Sequence, residues 1–184
     1  MSFASAKAFE SWLRKNHGLQ VGIWMQIAKK GSGLPSVTYA EAVEAALCWG
    51  WIDGQVKSLD ATYFLQRFTP RRPRSLWSRV NRDKIEQLEI DQRMQAPGVA
   101  EVERAKADGR WARAYESASR IAVPADLESA LDANPKAALF FGALNANNRY
   151  AVLHRVHTAI KPETRAARIA KFVAMLARGE KIHV

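Results

Sequence analysis

All of the strand-like patterns in this sequence lie in its first 68 residues, and this restricts the fold more than any other feature. Residues 21–28 alternate between aliphatic side chains on one face and Trp24 and Gln26 on the other, as in a strand with one buried face. Residues 51–58 and 62–68 are two further strand-like runs separated by three residues, which predicts a hairpin. The two prolines within residues 69–75 are expected to end the second strand before residue 69. From Pro97 onward the apolar residues recur at helical spacing instead, as in the stripe Tyr150, Leu153, Val156 and Ile160.

Helix signals accompany these strands. Thr38 and Glu41 have the spacing of a capping box, and Gly50 is placed to end the helix that they begin. Ser75 is expected to cap a later helix whose apolar positions are Trp77, Val80, Ile85 and Leu88. The predicted fold class is therefore α+β: a small, mostly antiparallel sheet with helices in the N-terminal half, and an all-helical C-terminal half packed on it.

The 184 residues suffice for one compact domain, or for one domain with a helical extension. We predict an α+β module at residues 1–92 and a helical region at residues 93–184. The longest apolar run, residues 137–144, is far shorter than the roughly 20 residues of a membrane span. The N-terminus has no apolar stretch typical of a secretory signal, so a cytoplasmic location is expected.

Cys48 is the single cysteine of the chain, which excludes an internal disulfide and a multi-cysteine zinc site. A nucleophilic cysteine needs a nearby base, and no motif supplies one here. We interpret Cys48 as a buried structural residue, because an unreactive cysteine behaves as a small apolar side chain. No metal site and no cofactor are predicted from the sequence.

Basic residues are concentrated in one short segment. The chain has a formal net charge of +10, and residues 61–84 contribute seven basic residues against one acidic residue, Asp83. We call residues 67–84 the basic segment. Such a segment can be a solvated or internally paired surface, a site for a small anion or acidic partner, or a surface for nucleic acid.

An aspartate follows two tryptophans in the string Trp49-Gly50-Trp51-Ile52-Asp53-Gly54. A carboxylate among large apolar residues is either paired or functional, so we expect Asp53 to be largely buried and paired with a basic side chain. A pocket here would have tryptophan walls, Asp53 as an acceptor and basic residues as anion ligands. The predicted ligand-binding residues are Trp51, Asp53, Lys57, Arg67, Arg71, Arg72, Arg74, Trp77 and Asn81.

The Gly31-Ser32-Gly33 loop lies between a predicted strand and a predicted helix, which is the context of a phosphate-binding turn. However, Ser36 stands where the dinucleotide fingerprint has its third glycine, and no Gly-Lys-Ser/Thr follows. A simple connection between strand and helix is the better interpretation.

Several strings together resemble one known family. They are WLRKNHG (12–18), IAKKGSGLPSVTYAEAVEAALCWGWIDGQVKSLD (27–60), LQRFTPRRPRSLWSRVNRDK (65–84) and KPETRAARIAKFVAMLARGE (161–180). Over nearly its whole length, the chain resembles the YdeI/OmpD-associated (OmdA) family, also described as bacteriocin-protection proteins. Residues 134–180 are similar to the helical module that defines that family. The resemblance implies a role in envelope stress or bacteriocin resistance, and it provides no catalytic residues.

The sequence therefore favours a non-catalytic cytoplasmic protein of the stress or bacteriocin-protection type. We expect it to bind a small anionic ligand or an acidic protein surface through its Trp/Asp/Arg residues. The first alternative is a nucleic-acid-binding protein that uses the basic segment. An enzyme acting on a small anionic substrate ranks last, because the sequence contains no complete catalytic constellation.

Overall fold

The computed structural model describes residues 1–183, which form eight α-helices and one three-stranded sheet. The strands are β1 (Ile23–Ala28), β2 (Trp51–Ser58) and β3 (Tyr63–Pro70). The helices are α1 (Ala6–Asn16), α2 (Tyr39–Cys48), α3 (Arg79–Ile90), α4 (Ala96–Ala107), α5 (Ala125–Asp132), α6 (Pro135–Ala143), α7 (Ala146–His157) and α8 (Pro162–Ala177). This arrangement confirms the predicted α+β class.

The backbone contacts divide the chain into two compact units. The first unit comprises Met1–Trp77 and Asn81–Ala112, and the second comprises Ser78–Val80 and the residues from Arg113 onward. The predicted division into modules near residue 92 stays a prediction. No helix within residues 1–183 has both the length and the apolar composition that crossing a membrane requires.

The sheet of the first unit has the strand order β1–β3–β2, and both neighbouring pairs are antiparallel. The predicted hairpin is present, but β3 continues two residues beyond its predicted end, as far as Pro70. The expectation that Thr69 and Pro70 leave the ladder was wrong. Proline is tolerated at the end of a strand, where few ladder bonds are lost, and Pro70 lies opposite Trp51 in the last pair.

One face of this sheet forms the apolar core of the first unit. Ile23, Met25 and Ile27 alternate inward along β1, as the sequence predicts. Aromatic contacts attach α1 to the same face: the ring centroids of Phe9 and Phe68 are 5.7 Å apart. Aromatic side chains bury large apolar areas, so these contacts fix α1 against the central strand.

Short-range signals account for the start of α2 but not for the start of α3. The backbone N–H of Thr38 donates to the Glu41 carboxylate at 2.9 Å, and the Thr38 hydroxyl accepts from the Glu41 N–H at 3.3 Å, so the capping box is confirmed. The cap predicted at Ser75 was wrong, because its hydroxyl accepts from the Arg72 N–H at 3.0 Å and closes a turn. Helix α3 begins four residues later, at Arg79.

The second unit has its own apolar core between α5, α6, α7 and α8. The buried residues of this core are Leu127, Leu131, Ala137, Phe141, Val152, Leu153, Val156, Ile169, Phe172 and Leu176. The predicted stripe along α7 is present up to Val156, but Ile160 lies beyond the end of the helix and is 68% exposed. The change of direction before α8 removes Ile160 from the helical face that its spacing indicated.

Helices α2 and α4 approach closely at Gly98. An added Cβ at this glycine would lie 2.2 Å from the carbonyl oxygen of Cys48 and 2.7 Å from its carbonyl carbon. Both contacts are with backbone, so no side-chain rotation can relieve them. We predict that Gly98→Ala lowers the free energy of unfolding by about 1–3 kcal/mol, the usual cost of overpacking, as measured by chemical denaturation.

Gly142→Ala is the matched control for Gly98→Ala. Gly142 also lies within a helix, and an added Cβ there meets no atom within 4 Å. This substitution should instead raise stability by about 0.5–1 kcal/mol, because alanine restricts the unfolded chain and favours helix. Equal stabilities of the two variants would contradict the close approach at Gly98.

Cys48 is 1% exposed, in agreement with the structural role that the sequence predicts. Burial raises the pKa of the Cys48 thiol above its ordinary value of 9.0, to about 11. The folded state therefore holds this proton when the unfolded chain has released it, so stability should fall as the pH rises from about 9 towards 11. In a thiol-reagent assay at pH 8, Cys48 should react only at the rate of unfolding, and rapid labelling of the folded protein would contradict this.

Candidate functional site

The predicted ligand-binding residues of the hairpin lie on two different faces of the sheet. Trp51 is opposite Pro70 and Asp53 is opposite Phe68, which places both on the core face. Trp51 is fully buried, and its indole N–H donates to the carbonyl oxygen of His17 at 2.8 Å. It is therefore a core residue and contributes no surface to a ligand.

The burial and the partner of Asp53 differ from those that the sequence predicts. It is only half-buried, and no lysine or arginine among residues 1–183 forms an ion pair with it. Instead, the hydroxyl of Tyr39 donates to a carboxylate oxygen of Asp53 at 2.6 Å. The expected pair with a basic residue was wrong, because Tyr39, the first residue of α2, reaches this position on the core face. Its hydroxyl supplies the charge-assisted hydrogen bond that the sequence predicts from a basic side chain.

Lys57 and Arg67 lie on the opposite, outer face of the sheet. Two residues of β2, Gly54 and Gln55, oppose Arg67 at a β-bulge, and the bulge shifts the later residues of β2 to the other face. The Lys57 Nζ lies 4.5 Å from the ring centroid of Trp24, and the Arg67 Cζ lies 5.6 Å from it. Two cations therefore lie close to one aromatic ring on this face.

A concave cleft of about 590 Å3 begins beside Arg67 and continues to the loop after β3. Its lining residues are Gln20, Val21, Gly54, Gln55, Arg67, Thr69, Pro70, Arg71, Arg72 and Pro73. We call this feature the arginine cleft. Three of these residues are arginines and none is acidic, so the cleft is electropositive. Gly54 adds no side chain beside Arg67, which leaves the cleft open at that point.

Arg67 and Arg72 line the arginine cleft without forming an ion pair with any residue in the range 1–183. The guanidinium of Arg67 donates to the carbonyl oxygen of Val21, which holds it against β1. Arg72 is exposed to solvent. An arginine that donates only to neutral acceptors retains its full charge for an incoming anion.

Arg71 is held more rigidly. Its side chain is 5% exposed, its guanidinium lies 3.4 Å from the centroid of Trp77, and its Nη1 donates to the carbonyl oxygen of Leu76 at 3.1 Å. Trp77 packs edge-on against Trp111 at 4.9 Å. This stack fixes the loop that forms one wall of the arginine cleft, and it explains why Trp77 is buried although it lies outside a helix.

The other predicted ligand-binding residues lie outside the cleft. Arg74 is exposed and Asn81 is half-buried, and neither lines the cleft. The three remaining cations of the basic segment are paired: Arg79 with Glu116 at 3.0 Å, Arg82 with Glu86 at 4.0 Å and Lys84 with Glu44 at 3.3 Å. The structure thus brings Arg67, Arg71 and Arg72 together in the cleft. Trp77 contacts this group through Arg71, and Lys57 lies near Arg67 beside Trp24.

Sequence reasoning missed the polar residues that complete the arginine cleft. Gln20 lies about 50 residues before the basic segment, and Gln55 and Thr69 belong to the bulge and to β3. No local pattern connects these positions. The alternation in β1 did indicate that Trp24 points away from the core, but its two cationic neighbours come from other strands.

The arginine cleft and the hairpin both lie in the part of the chain that one family model covers. A model described as a domain of unknown function (DUF8412) matches residues 1–101, which is more than half of the chain. The chain belongs to this family. No curated protein and no solved structure matches it significantly.

A second family model matches the other part of the chain. This model is described as bacteriocin-protection, YdeI or OmpD-associated (OmdA), and it covers residues 120–179. The predicted resemblance to that family is confirmed, but over these residues only rather than over nearly the whole length. The match to this second model is therefore limited to the helices α5–α8.

The contact between Tyr39 and Asp53 gives a test of the site geometry. In Tyr39→Phe the Asp53 carboxylate loses its short hydrogen bond, so the free energy of unfolding should fall by about 1 kcal/mol, since the pair is partly exposed. Thermal or chemical denaturation measures this change. Tyr63→Phe is a suitable control, because Tyr63 lies in the same unit and its hydroxyl forms no hydrogen bond within residues 1–183. A loss of equal size in both variants would contradict the role of the Tyr39 hydroxyl.

Proposed function

We propose that this protein is a non-catalytic binding protein of the bacteriocin-protection type that acts in the cytoplasm and binds a small anionic group in the arginine cleft. The observation that carries the proposal is the lining of the cleft: Arg67, Arg71 and Arg72 and no carboxylate. A concave volume of about 590 Å3 lies in the range of ligand pockets, roughly 300–1,000 Å3.

The chemistry of the cleft suits phosphate or carboxylate. Guanidinium groups form paired, charge-assisted hydrogen bonds with both kinds of anion. The Thr69 hydroxyl and the amide groups of Gln20 and Gln55 add neutral donors around the same space. Because the cleft is concave and small, these groups favour one compact anion over an extended acidic protein surface.

Nucleic acid fits the basic segment less well. Binding to a phosphate backbone needs several accessible cations along one track. Arg79 and Lys84 already contact carboxylates, and Arg82 lies 4.0 Å from Glu86. We therefore expect weak, salt-sensitive binding to single-stranded DNA or RNA without sequence preference.

Titration calorimetry with pyrophosphate tests the cleft directly. Arg67→Ala and Arg72→Ala should each weaken binding by about tenfold or more, since a hydrogen bond to a charged group contributes about 1.5–3 kcal/mol. Circular dichroism should confirm that both variants are folded.

Arg74→Ala is the matched control, because Arg74 lies in the same loop and carries the same charge but does not line the cleft. Its affinity for pyrophosphate should stay within about twofold of the unchanged protein, the size of a screened surface effect. An equal loss in all three variants would show that net charge alone attracts the anion. Submicromolar, sequence-selective binding of an oligonucleotide in about 0.15 M salt would favour the nucleic-acid alternative instead.

A further inference from the structure

The Gly31-Ser32-Gly33 loop covers a second cavity, separate in its lining from the arginine cleft. This cavity has a volume of about 520 Å3, and we call it the loop pocket. Its inner surface comes mainly from apolar side chains, with Ile27 and Val37 at buried positions and Phe64, Leu34 and Ala40 nearer the opening. The size and the predominance of apolar lining are typical of sites for small organic molecules.

Backbone hydrogen bonds hold both ends of this loop. The N–H of Lys29 donates to the carbonyl oxygen of Thr62 at 2.7 Å, and the N–H of Ala28 donates to the Ser36 hydroxyl at 3.1 Å. Between these anchors, Gly31 and Gly33 have φ values of +87° and +71°, and an added Cβ at either would meet no atom within 4 Å. The loop is therefore anchored at both ends, and no side chain of Gly31 or Gly33 occupies the space around it.

The charged side chains that line the loop pocket have one sign. Lys29 and Lys30 are its charged lining residues, and its lining includes no carboxylate. The Nζ of Lys29 donates to the carbonyl oxygen of Asp60 at 2.7 Å, which fixes its position near the opening. Lys30 is exposed to solvent. A ligand here would meet an apolar interior and a cationic rim.

A nucleotide phosphate does not fit this arrangement. The N-terminus of α2 is a potential anion site, but the Glu41 carboxylate already accepts the Thr38 N–H at 2.9 Å. These hydrogen bonds from Thr38 lower the pKa of Glu41, so its negative charge persists at neutral pH and repels a phosphate at the helix end. The anionic part of a ligand must therefore lie at the lysine side of the pocket.

We propose that the loop pocket binds a small amphiphilic molecule, with an apolar body against Ile27 and Phe64 and a single carboxylate or sulfonate group beside Lys30. This site is independent of the arginine cleft and adds a second ligand class, an apolar anion, to the compact anion proposed there. The occupant follows from the two observed properties of the pocket: an apolar interior of ligand size and a rim whose charged residues are lysines.

Fluorescence titration with 8-anilinonaphthalene-1-sulfonate tests this proposal on the full chain. Binding should be saturable, and octanoate should displace the probe while octanol should not do so at the same concentration. Leu34→Ser should weaken binding about tenfold, because it removes apolar contact with the ligand. Lys30→Gln should weaken binding by about two- to fivefold, the effect of an exposed charge pair, and Lys30→Arg should restore it.

Two controls separate this site from other surfaces of the protein. Lys7→Gln removes one exposed charge from α1 and should leave the affinity for the probe unchanged. Arg72→Ala should weaken pyrophosphate binding without affecting the probe, so the two sites can fail independently. The proposal is overturned if Leu34→Ser and Lys30→Gln leave the affinity unchanged, if octanol displaces the probe as well as octanoate does, or if Arg72→Ala abolishes probe binding.

Discussion

The β-bulge at Gly54 and Gln55 determines which side chains of the hairpin reach the core and which reach solvent. In a regular strand, Asp53 and Lys57 would share a face, because side chains four residues apart point the same way. The bulge adds one residue opposite Arg67, so Lys57 moves to the outer face while Asp53 stays on the core side. The position of Lys57 on the outer face and the opening of the arginine cleft beside Gly54 both depend on this bulge.

The same bulge explains why the site was predicted only in part. The sequence correctly placed the two strands and their hairpin, since alternation and turn residues are local signals. A bulge leaves only a weak signal in a single sequence. The predicted strand at residues 51–58 was therefore regular, without the change of register at Gly54. The predicted pocket therefore combined Asp53 and Lys57, which the fold separates, and omitted Trp24, which lies beside Lys57 at 4.5 Å.

The features of the fold that the sequence predicted correctly depend on residues that lie within three or four positions of one another. The capping box at Thr38 and the buried stripe of β1 are of this kind, and both were predicted correctly. Ser75 failed as a cap because an equally local alternative was available: a turn closed by the N–H of Arg72. Tyr39 lies 14 residues from Asp53, and no sequence pattern distinguishes it from the other possible hydrogen-bond donors to Asp53.

Charge composition predicted where cations occur but not which of them can bind a ligand. Seven basic residues lie close together in sequence, yet the fold gives them different surroundings. Glu116 and Glu44 neutralise Arg79 and Lys84 from 37 and 40 residues away. Arg71 instead packs on Trp77 and stabilises the wall of the cleft. The ligand-binding capacity of a basic segment thus depends on the distribution of carboxylates elsewhere in the fold, which sequence density does not reveal.

The two proposed ligand sites lie outside the residues that match the bacteriocin-protection family. Both sites lie within residues 20–73, inside the range that matches the domain of unknown function. The bacteriocin-protection description belongs to residues 120–179, which have a separate apolar core. A protective role assigned to that module therefore does not identify the ligand of the arginine cleft. Because the two parts have separate cores and separate family relationships, the chemistry of each must be argued from its own side chains.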